Sequence, residues 1–69
     1  MCLAIPGKIK KEYGSYATVD VLGNELKVNI MLIDQPSVGD YVLIHAGCAI
    51  QRIDMEYYDY LYEFYEKLL

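Results

Sequence analysis

Three side chains in this sequence are suited to holding a soft or borderline metal ion: Cys2, His45 and Cys48. Thiolate sulfur and imidazole nitrogen are the donors that zinc, copper and low-spin iron accept. His45 and Cys48 form an H-x-x-C pair around Ala46 and Gly47. A closed structural zinc site needs four ligands, so three donors with an open position fit a transient site better. Cys2 has a chemistry of its own. If Met1 is removed, its thiol lies beside the free α-amine, and the ammonium charge favours thiolate, the form that binds metals. The plainer reading of Cys48 is a small buried hydrophobe. For His45 it is a strand-end histidine satisfied by a backbone partner. Cys2 is harder to place in a core, and a terminal thiol can enter another protein's cleft without dragging a loop along. The sequence contains no CxxC, HExxH, glycine-rich phosphate loop or nucleophile elbow.

The elements that must position these residues fall into two regimes, residues 1–53 and 54–69, within one small domain. The first reads as short strands. Pro6-Gly7 interrupts "LAIPGKIKKEY", and a proline there marks a strand start, an edge or a bulge. "GS" at 14–15 reads as a turn. In "YATVDVL" the set Ala17, Val19 and Val21 faces a core. Gly23-Asn24 is the expected two-residue hairpin turn. "ELKVNIMLI" alternates again, with Leu26, Val28, Ile30 and Leu32 expected on one face. After the loop "DQPSVGD" come "YVLIHA" and "CAIQRI". The fold class expected is mainly β: a small antiparallel barrel of about five strands with one C-terminal α-helix.

Residues 54–69 carry the helix signals. Asp54 is an N-cap candidate, Glu56 lies near the positive end of the helix dipole and Lys67 near the negative end. Met55, Tyr58, Leu61, Tyr62, Tyr65 and Leu68 share a stripe that should pack on the barrel. Tyr57, Tyr60 and Phe64 lie off it. Tyrosine is enriched at interfaces, so Tyr60 and Phe64 are expected to stay exposed and to meet a protein partner.

Charge narrows the partners. The net charge is −4. Residues 1–33 hold four lysines against Glu12, Asp20 and Glu25; residues 34–69 hold Arg52 and Lys67 against seven acids. That balance opposes nucleic acids and anionic membranes. No apolar run reaches the length of a membrane span, and the N-terminal residues lack a signal-peptide pattern. A cytoplasmic location is expected, where a Cys2–Cys48 disulfide would be kept reduced.

These residues carry a family resemblance. "MCLAIPGKI" resembles the N-terminal signature of the HypC/HupF hydrogenase maturation chaperones, with Met1, Cys2, Leu3, Ala4, Ile5 and Pro6 fitting its six positions. "HAGCAI" is similar to a second family element at His45, Ala46, Gly47, Ala49 and Ile50, with Cys48 standing where the family has an aromatic. The resemblance implies a non-enzymatic chaperone with an OB-like barrel. It implies transient binding of iron as an Fe(CN)2CO fragment. The fragment would be taken from a HypD-type iron–sulfur scaffold protein and delivered to the precursor of the [NiFe]-hydrogenase large subunit. On this reading Cys2 is the iron ligand and His45 the second donor or the group that orients it. The partner-binding residues are Cys2, Leu3, Ala4, Ile5 and Pro6, joined by Tyr60 and Phe64.

Two other readings stay open. One is an OB-type nucleic-acid module, which exposed aromatics on a lysine-lined barrel face would favour. The other is a small zinc or redox protein using Cys2, His45 and Cys48 together.

Overall fold

The structure, a computed structural model, describes residues 4–68. Five strands precede one helix: β1 (Ile5–Tyr13), β2 (Tyr16–Val21), β3 (Asn24–Asn29), β4 (Tyr41–His45), β5 (Cys48–Ile53) and α1 (Met55–Leu68). The strands close into a barrel in the order β1-β2-β3-β5-β4. The mainly β barrel with a C-terminal helix is as the alternation implied, and its OB-like form is as the resemblance implied. One pairing departs from an all-antiparallel barrel. β3 runs parallel to β5 and meets it only at Asn29–Cys48, while its other side pairs with β2 from end to end.

Alternation puts Ala17, Val19 and Val21 of β2 inside with Ile9, Val28, Val42, Ile44 and Ala49, all buried. β1 passes through this core at Gly7. A Cβ there would lie 2.5 Å from Val19 Cγ1 and 2.7 Å from Ile44 Cδ1, so the strand crosses at a distance only a hydrogen side chain permits. Pro6 is fully buried on the stretch of β1 that pairs with β4 before β2 joins at Lys8. It thus marks a strand start, as proline should. β1 then bulges between Ile9 and Lys11, which bends it around the barrel.

Two local expectations are corrected. The β2–β3 turn is Leu22-Gly23, because Val21 pairs with Asn24. A tight turn of this kind needs positive φ at both central residues. Leu22 adopts φ 52° and Gly23 φ 89°. The strain at Leu22 is offset by packing its side chain against the core. The second correction is at the end of β3. The strand stops at Asn29, whose Oδ1 accepts the Met31 N–H at 2.8 Å. This local bond competes with the ladder and turns the chain. Ile30 and Ile33 are buried, whereas Met31 and Leu32 point outward. Leu26, expected inside with Val28, is exposed where the barrel opens toward α1.

The loop from β3 to β4 is clamped by the chain's single arginine. Arg52 Nη2 donates to the carbonyls of Asp34 (2.7 Å) and Gln35 (3.0 Å) and pairs with Asp40 Oδ2 at 3.2 Å. The same Asp40 oxygen accepts the Ser37 N–H at 2.8 Å.

Asp54 caps α1 as expected: its Oδ1 accepts the Tyr57 N–H at 2.8 Å. The helix docks on β1 and β4. Tyr58, Leu61, Tyr62 and Tyr65 are half-buried, and Tyr57, Tyr60 and Phe64 are exposed. Met55 and Leu68, assigned to the packing stripe, are 60% and 62% exposed. They stand at the two ends of the helix, past the barrel surface that α1 covers.

Candidate functional site

The site is built where β1 begins. Ile5 pairs with Ile44, so the chain enters the barrel beside the end of β4, next to His45. His45 and Cys48 are paired residues across the two-residue turn Ala46-Gly47. Both turn residues have positive φ, 52° and 77°, as so tight a connection demands. The H-x-x-C spacing is therefore a hairpin tip. Directly opposed residues project from one face of a ladder with Cβ atoms about 5 Å apart. Both side chains are half-buried, and Cys48 also neighbours Asn29 through the short parallel seam.

The helix holds the segment leading into β1. Tyr65 Oη donates to the Ala4 carbonyl at 2.9 Å, fixing the backbone two residues after Cys2. A stack of rings carries Tyr65's neighbours: Tyr41 lies 4.4 Å from Tyr58, and Tyr58 lies 5.8 Å from Tyr62, centroid to centroid. Lys8 Nζ sits 5.7 Å from the Tyr41 ring. Partial burial in this stack raises the Tyr58 pKa, with a smaller contribution from the carboxylate of Asp20.

Of the residues singled out in the sequence, Cys2 and Leu3 lie outside the described residues. Ala4 and Ile5 are half-buried at the mouth of the barrel. Pro6 is buried, so its contribution is the path it imposes on the chain. Tyr60 and Phe64 are 65% and 50% exposed, one turn apart on the outer side of α1. Among the described residues no three His, Cys, Asp or Glu side chains gather as a metal-ligand group. His45 and Cys48 come together as a pair. Among the described residues no helix is long and apolar enough to cross a membrane.

Two features escaped the sequence. The Tyr65–Ala4 bond joins residues 61 positions apart, and no local pattern signals it. The pairing of lysines with tyrosines on β1–β3 was readable in principle. Lys11-x-Tyr13, Tyr16-x-Thr18 and Lys27-x-Asn29 all have the period of a strand.

A family model described as the HupF/HypC family matches residues 1–65. The hydrogenase maturation factor HypC of Azotobacter chroococcum mcd 1 is 42% identical over 55 residues, covering 78% of this chain and 66% of that protein. HypC of Escherichia coli K12 is 38% identical over 60 residues, covering 78% and 67%. HypC of Helicobacter hepaticus is 35% identical over 71 residues, covering 100% of this chain and 83% of that protein.

Proposed function

Because the chain belongs to the HupF/HypC family, we propose that it serves hydrogenase maturation as a non-catalytic carrier of iron. Its cargo is an Fe(CN)2CO fragment, received from a HypD-type scaffold and passed to the precursor of a [NiFe]-hydrogenase large subunit. Cys2 is the donor to iron. A thiolate suits low-spin Fe(II) that already holds strong-field ligands. A carrier must also release its cargo, which favours one or two protein donors over a closed cage.

One observation supports this most: the anchoring of Ala4 by Tyr65 beside the His45 end of β4. Ala4, the first described residue, is held at the end of the barrel where β4 runs into His45, which supports His45 as second donor or as the group that orients the thiolate. Tyr60 and Phe64 offer the partner an apolar contact on α1, separate from the thiol.

The test is co-purification with a HypD-type scaffold, followed by iron analysis and infrared detection of metal-bound cyanide and carbon monoxide. Wild type should carry iron and both sets of bands. Cys2→Ala should keep its melting temperature and lose them. Retention of iron and bands by Cys2→Ala would remove Cys2 from the role.

A further inference from the structure

The outer face of β1, β2 and β3 carries a second set of residues with no part in the scheme above. Their register forms two cross-strand rows. Tyr13, Tyr16 and Asn29 are paired neighbours in one; Lys11, Thr18 and Lys27 form the other. Each lysine folds over a ring from the adjacent row. Lys11 Nζ lies 5.4 Å from the Tyr13 centroid, and Lys27 Nζ 4.6 Å from that of Tyr16. Tyr13, Tyr16, Thr18 and Lys27 line a depression of about 330 Å³. Neither row contains an acid. Glu12, between Lys11 and Tyr13 on β1, belongs to the intervening row, paired with the inward-facing Ala17. On the lysine-bearing face of these strands the nearest acids are Asp20 and Glu25, paired with each other one row further along. In a chain of net charge −4, this is a cationic surface with two ammonium groups held on either side of a hydroxyl.

We propose that this face docks an extended acidic segment of a partner protein, its carboxylates meeting Lys11 and Lys27 across Thr18. Charge complementarity selects the occupant. Two strand spacings separate the lysines by about 10 Å, within reach of carboxylates at alternate positions of an extended chain, about 7 Å apart. A nucleic acid fits less well. The ring faces on which bases would stack are covered by the protein's own lysines, and two cations release few counterions. A second copy of this chain fits less well too. Six residues on three strands offer on the order of 200 Å², far below the ~800 Å² per partner of a stable dimer. The surface lies on β1–β3 and includes no residue before Lys11, whereas β1 begins beside β4, where Ile5 pairs with Ile44, so docking here does not depend on Cys2.

The experiment titrates the whole chain with an octaglutamate peptide and follows backbone amide resonances. An eight-residue thymidine oligonucleotide and an octalysine peptide are run alongside. Octaglutamate should shift the amides of Lys11, Tyr13, Tyr16, Thr18 and Lys27, and added salt should weaken the effect. Lys11→Glu/Lys27→Glu should reduce the affinity about tenfold or more, as reversal of two exposed charges implies. Lys11→Gln/Lys27→Gln should fall between, with amides elsewhere in the barrel unmoved, and Cys2→Ala should bind like wild type. Shifts scattered over the surface, or an affinity unchanged in both double variants, would overturn the proposal. So would the oligonucleotide moving the same amides at lower concentration, which would make the face a nucleic-acid site.

Discussion

The barrel and the helix are held by different means. The barrel closes a ladder of hydrogen bonds around Ile9, Val19, Val28, Val42 and Ala49, each almost wholly removed from water. The helix buries no residue completely and rests on half-buried tyrosines and one long-range hydrogen bond. Burial of apolar surface dominates folding free energy, so the barrel is the part that stands or falls as a unit. The helix is a brace that can loosen without dissolving what it braces.

The sharpest way to break that contrast is to weaken the barrel. Ile9→Ala should cost about 2–5 kcal/mol. A chain of this size has on the order of 3–10 kcal/mol in all. Urea unfolding should show the loss in the midpoint, and barrel and helix signals should disappear together. Gly7→Ala should cost about 1–3 kcal/mol through overpacking. Combined with Val19→Ala, which removes the methyl it strikes, the total should be less than the sum of the two single changes.

Changes in the helix should be smaller and local. Asp54→Ala removes the cap and should cost about 1 kcal/mol. Amide exchange should quicken in the first turn of α1 while β1–β5 stay protected. Tyr65→Phe removes the hydroxyl bound to Ala4 and should cost about 0.5–1.5 kcal/mol. Its larger effect should be weaker binding of the scaffold, measured by calorimetry. Tyr60→Ser/Phe64→Ser should shift stability by under about 0.5 kcal/mol and still reduce scaffold affinity. A large fall in melting temperature would place those rings in the packing.

Alkaline pH gives the gentlest test. Tyr58 is held neutral above its ordinary range because its ring is partly buried, so the unfolded chain loses this proton first. The contribution is fully present below about pH 10 and is lost as pH rises through the folded value. Stability should fall above pH 10, and Tyr58→Phe should flatten that fall in a pH series of melting curves.

Much of this was legible in the sequence because it depends on period. Ala17, Val19 and Val21 alternate, and Asp54 precedes a stripe at helical spacing, so the β2 face and the capped helix followed directly. Features set by neighbours distant in sequence did not follow. The turn moved to Leu22-Gly23 because the pairing of Val21 with Asn24 outweighed the preference of Asn24 for the turn itself. β3 ended early because Asn29 turned its side chain on the backbone. Met55 and Leu68 have the right angle on the helix and the wrong height, since a wheel of residues records no length of contact. For the candidate site, His45 and Cys48 and their spacing were readable in the sequence, and the hairpin explains why the spacing brings them side by side. The Tyr65 tether on Ala4 became visible only once helix and strand were packed together.

The short seam between β3 and β5 has a consequence for solubility. A fully closed barrel has no free edge, but β3 meets β5 only at Asn29, leaving much of one side without a β5 partner. Such an edge invites another chain to add a strand, with exposed Leu26 as an adhesive. Glu25 and Lys27 flank that leucine, and their desolvation and side chains obstruct a flat approach. Their task on this side of the barrel is prevention. Replacing both with threonine would leave the fold of a single molecule nearly unchanged, yet the protein should form β-rich aggregates at concentrations where the wild type stays clear, a change that light scattering and an amyloid dye would register.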